Sequence, residues 1–203
     1  MLVERNGKAP RVDSTTRVAD SACIIGDVTI GPRCHIDHQV VIESAGPPIR
    51  IGECVIIFAG SVVRSVGGRS RPAFEVAVGD RTLIAPHCTL SGCRIGAFCY
   101  VATATVVLQG ATVGDYSRLG VQSIVHAKTT LPEGTKVGMR HIAAPARGGF
   151  TSTADVEAAR QAVAAAGFFE TAFGVEETDS IRLHDQVMTR LLEEVQAWED
   201  RPL

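Results

Sequence analysis

Aromatic side chains make up only 5% of the 203 residues, with one Trp and two Tyr. A core built on large rings is excluded, so aliphatic side chains must fill the interior. No apolar run approaches the ~20 residues that span a bilayer. Neither charge dominates: the formal net charge is −2, which gives no general attraction to nucleic acid or an anionic membrane. The start, Met1 to Asn6, lacks the basic-then-apolar profile of a signal peptide, and a cytoplasmic location is expected. Six cysteines are present but no CxxC pair; they read as reduced structural thiols, with a metal or disulfide role as the alternative. Gly67-Gly68 lacks the strand–helix context of a phosphate-cradling loop.

What is present is a six-residue rhythm over 18–137. Aliphatic residues fall at Val18, Ile24, Ile30, Ile36 and Ile42, then at Ile51, Ile57 and Val63. They resume at Val78, Ile84 and Leu90, and run again from Ile95 through Val101, Val107, Val113, Leu119, Val125 and Leu131 to Val137. Glycine often follows, as in Ile30-Gly31, and the fifth position is small, as at Cys34, Ser61, Cys88, Thr105 and Ser117. A period of six is neither helical nor simply alternating; it predicts a hexapeptide parallel β-helix. Roughly six to seven coils of about 18 residues are expected. They should stack at ~4.8 Å.

Three segments follow: a lead-in strand or loop over 1–17, the β-helix over 18–147, and a helical region over 148–203. Two insertions break the rhythm. ESAGPPIR (43–50) is short and turn-rich, and RSVGGRSRPAFEVA (64–77) reads as a mobile basic excursion with Arg64, Arg69 and Arg71. Beyond the coil, Ser152 with Asp155 is a plausible cap for an Ala-rich helix over 154–169 that includes Ala166 and Phe169. After Gly174 and Thr178 a second helix carries an apolar stripe: Ile181, Val187, Met188, Leu191, Leu192, Val195 and Trp198. That stripe is expected to pack on the coil or a neighbouring subunit.

The stretch IIGDVTIGPRCHIDHQVVIESAGPPIRIG resembles the γ-class carbonic anhydrase family. LIAPHCTLSGCRIGAFCYVATATVVLQGATVGD, with its five-residue step at Ser91-Gly92-Cys93, continues the likeness, as do Leu131-Pro132-Glu133-Gly134-Thr135 and Ala144-Pro145-Ala146-Arg147. GDVTIGPR and ESAGP are also similar to the small β-helix subunits of dynactin, which are structural proteins. The resemblance implies a left-handed coil and a homotrimer. It also implies carbon dioxide hydration at a zinc held by three histidines. At those three positions this chain has Arg64, Pro86 and Ser91. Arginine is permanently charged and proline has no side-chain donor, so neither ligates zinc, and no zinc is expected. The family's Arg and Asp in the first loop map to Glu43 and Ala45, and its Gln in the next coil to Phe58.

Counting hexads in threes places Ile25, Glu43, Arg64, Ser91, Leu108 and His126 in one vertical file, so Glu43 and Arg64 become neighbours. Another wall contributes His38, Phe58, Pro86 and His87. In the family the two walls meet across a subunit boundary, which would join Glu43, Arg64 and Ser91 to Phe58, Pro86 and His87 of the next copy. Glu43–Arg64 reads as an interface salt bridge or as a functional pair, with Arg64 holding a carboxylate or phosphate and Glu43 acting as base or orienting it. His87 reads as packed surface or as a proton carrier. Ser91 reads as small filler, Phe58 as an apolar wall, and Arg69 and Arg71 as contacts from the excursion. Three functions stay open. One is metal-free acid/base work on a small anionic or carbonyl compound. Another is acyl transfer from acyl-CoA with His87 or His126. The third is a non-catalytic scaffold. His35 and His38 flank Asp37 but show no third metal ligand; His126 reads as surface or interface, and His141 and His184 as structural.

Overall fold

In the computed structural model, residues 1–68, 71–165, 170, 173–175 and 179–199 are described. Short strands, mostly of two or three residues, recur in threes and stack in parallel to form a three-walled solenoid. The first wall runs from Leu2–Val3 through Cys23–Ile25, Val41–Glu43, Val62–Arg64, Thr89–Ser91, Val106–Val107 and Ile124–Val125 to Ile142–Ala146. The second runs from Arg11–Val12 to Thr130–Leu131, and the third from Arg17–Val18 to Lys136–Val137. The lead-in is itself strand: Leu2 pairs with Ile24 and Arg11 with Thr29, which makes residues 1–18 the first coil.

The aliphatic of each hexad points inward. Ile24, Ile42, Val63, Leu90, Val107 and Val125 form one buried column, and Ile36, Ile57, Ile84 and Val101 another, each at most 1% exposed. Burying such a side chain fully contributes about 1.5–3 kcal/mol, so repetition compensates for the missing aromatics. Between coils, backbone amides donate to the next turn, as in Asp37 N to Ile57 O and Phe58 N to Ile84 O. Glycine follows the aliphatic where the next coil comes too close: a Cβ at Gly79 would lie 2.5 Å from Ala97 N.

The small fifth residue has a polar reason as well as a steric one. Ser61 Oγ donates to Ala85 O, and Thr82 Oγ1 to Gly96 O. Cysteine does the same work: Cys34 Sγ donates to Gly52 O at 3.1 Å and Cys88 Sγ to Ala102 O at 3.1 Å. All six cysteines are free. Burial pushes the thiols of Cys34, Cys88 and Cys99 up, and that of Cys93 up to about 12.

The 64–77 excursion, expected to be mobile, forms an antiparallel pair of Val66–Gly68 with Arg71–Phe74. Phe74 folds back onto the coil, where a Cβ at Gly92 would lie 2.6 Å from Phe74 Cβ. That contact falls within the five-residue step at Ser91-Gly92-Cys93. After the last coil, Ile142–Ala146 turns back into Gly149–Thr153 as an antiparallel hairpin. Helix α1 (Val156–Ala165) packs on this hairpin. Its cap is Asp155, whose carboxylate accepts from Ala158 N at 2.7 Å. Ser152 does not take part, because it lies in the hairpin and faces His141 Nδ1 at 3.2 Å. Helix α2 (Ser180–Glu199) is capped by Asp179, whose carboxylate accepts from Arg182 N. The stripe expected to be core is only partly covered: Val187 is buried, but Met188 and Leu192 are exposed. Ala166, Phe169, Thr178 and the side chains of Ile181, Val195 and Trp198 lie outside the described residues.

Cys23 and Cys54 are half-buried while the other four thiols are buried. In the native protein a thiol reagent at neutral pH should label Cys23 and Cys54 and leave Cys34, Cys88, Cys93 and Cys99 until denaturant is added. Rapid native labelling of all six, read by mass spectrometry, would contradict the stacked coil. His126 is 6% exposed, and desolvation lowers its proton affinity. A histidine held neutral in the folded chain contributes stability that is present above the ordinary histidine range and lost as pH falls through its folded value. Thermal midpoints should therefore fall on acidification through that range, and His126→Gln should flatten this limb. Identical pH profiles for the two proteins would exclude the burial.

Candidate functional site

On the first wall the hexad count placed two opposite charges, Glu43 and Arg64, side by side. Ile25 pairs in register with Glu43, Glu43 with Arg64, and Arg64 with Ser91. Because hexad aliphatics point inward, the residue after each one points outward. Glu43 and Arg64 thus leave the same face one strand spacing apart, and Arg64 Nε lies 3.2 Å from Glu43 Oε2. Their side chains are 19% and 40% exposed, so an isolated pair of this kind contributes only about 0.2–1 kcal/mol. Half-buried Ile25 lies below them in the file, and Ser91 and half-buried Leu108 lie beyond.

Arg5 also reaches this pair, which the sequence reading missed. Its Nη1 donates to Glu43 Oε1 at 2.5 Å. Glu43 therefore sits between two guanidiniums, one on each carboxylate oxygen. The signal available in sequence was Asn6-Gly7, a tight-turn dipeptide directly after Arg5. The first coil lacks the six-residue rhythm, however, and so gave Arg5 no file.

The other expected residues gather elsewhere. Phe58 is half-buried on the third wall, its amide donating to Ile84 O. Pro86 and His87 form the corner between the third and first walls, with His87 exposed and in the left-handed region at φ 59°. The His87 ring lies over Gly60, where a Cβ would be 2.5 Å from Nδ1. Within one chain the structure thus makes two groups, Glu43–Arg64–Ser91 and Phe58–Pro86–His87, on different walls. Arg71 begins the second strand of the excursion, but its side chain, like the whole of Arg69, lies outside the described residues.

The remaining histidines stand apart. His126, expected at the surface or an interface, is buried within the chain, its amide donating to Ala143 O. His38 Nδ1 faces Ser21 Oγ at 2.9 Å, and His184 is exposed on α2. The three positions that the resemblance matches to zinc ligands hold the guanidinium of Arg64, the pyrrolidine of Pro86 and the hydroxymethyl of Ser91, a donor set that does not fit the metal. Among the described residues there is no group of three or more His, Cys, Asp or Glu that could hold a metal ion. No described helix is long and apolar enough to cross a membrane. An open groove lined by Arg50, Ala77, Arg94, Thr112 and Asp115 runs along the second wall, away from the Glu43 file.

No family model matches the chain. It is similar to Gamma carbonic anhydrase 1, mitochondrial, of Arabidopsis thaliana, at 28% identity over 131 residues, covering 63% of this chain and 46% of that protein. Gamma carbonic anhydrase 2, mitochondrial, from the same plant is 27% identical over the same shares. The chain thus spans about half the length of these curated relatives. Among solved structures it superposes on a hexapeptide transferase family protein from Anaplasma phagocytophilum with a TM-score of 0.58 and 23% identity, covering 94% of this chain and 96% of that one. At that identity the likeness concerns the fold. The chain is a hexapeptide-repeat β-helix protein, similar in sequence to the γ-class carbonic anhydrases.

Proposed function

We propose that this chain binds, and transforms by acid/base chemistry without a metal, a small anionic or carbonyl-containing molecule at the Glu43–Arg64 pair. The observation that carries the reading is this ion pair, flanked in its file by Ile25 and Leu108, with Arg64 at a position that the resemblance matches to a metal ligand. Arg64 offers planar donors suited to a carboxylate. Glu43 orients the guanidinium or takes a proton. Carbon dioxide hydration at zinc is not part of the reading, because Arg64 and Pro86 are not metal ligands.

The site is completed by self-association as a homotrimer. The first wall presents Ile25, Val41, Val62, Val106, Leu108 and Ile124 outward, and the middle of the third presents Ile56, Phe58, Leu83 and Tyr100, with Arg17, His35, Arg118 and Lys136 toward its ends. The second wall is polar by contrast, with Arg11, Thr29, Arg50, Arg94 and Thr112. The apolar first wall and the apolar middle of the third suit contact between copies. Contact between a first and a third wall brings Phe58, Pro86 and His87 of one copy to Glu43, Arg64 and Ser91 of another. Phe58 and Pro86 then supply the apolar side. His87 supplies a proton carrier. The protein works in the cytoplasm, with neither nucleic acid nor membrane as partner.

Calorimetric titration with acetate, malonate and inorganic phosphate tests this. The unsubstituted protein should bind at least one of them, and Arg64→Ala should lose that binding while light scattering still reports the trimer mass. Equal binding by Arg64→Ala would overturn the assignment, as would no binding by either protein. Heat on titrating CoA, with none from the small anions, would favour acyl transfer instead. A monomer by light scattering would remove the shared cleft.

A further inference from the structure

We infer that Arg5 is a positioning residue of the Glu43–Arg64 site, set in place by the turn that follows it; this rests on the anion-binding reading above. The turn is Arg5-Asn6-Gly7-Lys8. Arg5 N donates to Lys8 O at 3.0 Å and Lys8 N to Arg5 O at 3.1 Å, which closes a two-residue hairpin. Asn6 and Gly7 both take positive φ, 56° and 72°, the requirement of the narrow turn that Asn-Gly favours. Lys8 is held to the coil by Asp27, with Nζ 2.7 Å from Oδ2. Arg5 therefore leaves a short, doubly hydrogen-bonded loop whose far side is also fixed.

Its direction follows from the residue beneath it. Arg5 lies over Gly26, where a Cβ would be in ordinary contact with Arg5 Cβ at 3.6 Å and would crowd Ser44 O at 3.2 Å. Arg5 passes over Gly26 and beyond the level of Ile25 to reach Glu43. It takes Oε1, and Oε2 stays toward Arg64 Nε at 3.2 Å. A glutamate on an outer wall is free to sample several rotamers, whereas one held at Oε1 presents one oxygen to its neighbour. Arg5 thus orders Glu43, and Glu43 orders Arg64. The Arg5–Glu43 contact has 25% and 19% side-chain exposure, the less exposed of the two ion pairs that Glu43 makes.

The probe is whichever of acetate, malonate or inorganic phosphate the unsubstituted protein binds. Arg5→Ala should weaken its binding by about fivefold to tenfold, the cost of ordering one or two freed side chains when the anion arrives. Arg5→Lys should recover most of the loss. In a Glu43→Gln background, Arg5→Ala should make little further difference, since its route runs through the carboxylate. A purely structural role would lower the thermal midpoint in both backgrounds alike and would leave affinity in the folded protein unchanged. The inference fails if Arg5→Ala binds the probe normally while Arg64→Ala does not, or if its loss is the same with Glu43→Gln. If Arg64→Ala also binds normally, the anion-binding reading itself has failed.

Discussion

The hydrogen bonds between successive coils are the constraint on which the rest of this molecule depends. Each strand is too short to stand alone, and its amides must find carbonyls one coil away, as Gly52 N finds Val78 O and Gly79 N finds Ile95 O. With parallel coils in fixed register, residues at one hexad position form a straight column. The inner columns exclude water with aliphatics, and the outer columns bring side chains distant in sequence to one strand spacing. Glu43 and Arg64 are separated in the chain by a full coil with an insertion in it. Register, not local sequence, makes them neighbours.

The corners of the coil carry a cost that the stack offsets. Arg33, Cys54, Arg81, Phe98 and Tyr116 all occupy the left-handed region, at φ 54° to 57°. A side chain there costs roughly 1–2 kcal/mol relative to the right-handed form. Each pairs its amide with the coil before it or with a side chain there: Arg81 N with Glu53 O, Phe98 N with Asp80 O, Tyr116 N with Ala97 O, and Arg33 N with Thr15 Oγ1. Because these corners are themselves stacked, their side chains meet. Phe98 and Tyr116 lie with centroids 5.1 Å apart and 13° between planes, and the Arg81 guanidinium is 5.9 Å from the Phe98 ring. Both tyrosines of this aromatic-poor chain are exposed. The rings thus line the corner and third wall, not the core.

What could be read in advance follows from the same geometry. A strict period of six identifies the inward residue of each hexad, so the core columns and the Glu43–Arg64–Ser91 file were legible. Residues that leave the rhythm were not. Arg5 precedes the first regular hexad, and only the paired strands show that it begins the first coil. The excursion's return onto Gly92 depends on Phe74, whose target glycine lies on another coil. Asp155 and Ser152 both suit a helix start, and the choice between them fell to the hairpin that claims Ser152. His126 follows an inward residue and should face out, yet it is buried in the finished chain. Period assigns a side chain to a wall and says nothing of what later covers that wall.

Burial of the first wall also decides what its charges can do. Left half-exposed in water, Glu43 with its two arginines contributes little to stability, since solvent screens each attraction. Covered by the apolar middle of a third wall, the same groups would lose hydration, and their mutual attraction would strengthen as the local dielectric falls. In the proposed shared cleft, association between copies and binding of a small anion would be coupled, because each lowers the desolvation cost of the other. The apolar side chains of Ile25, Leu108 and Phe58 act in this scheme by excluding water from the ion pairs, and so raise what a single hydrogen bond to Arg64 is worth.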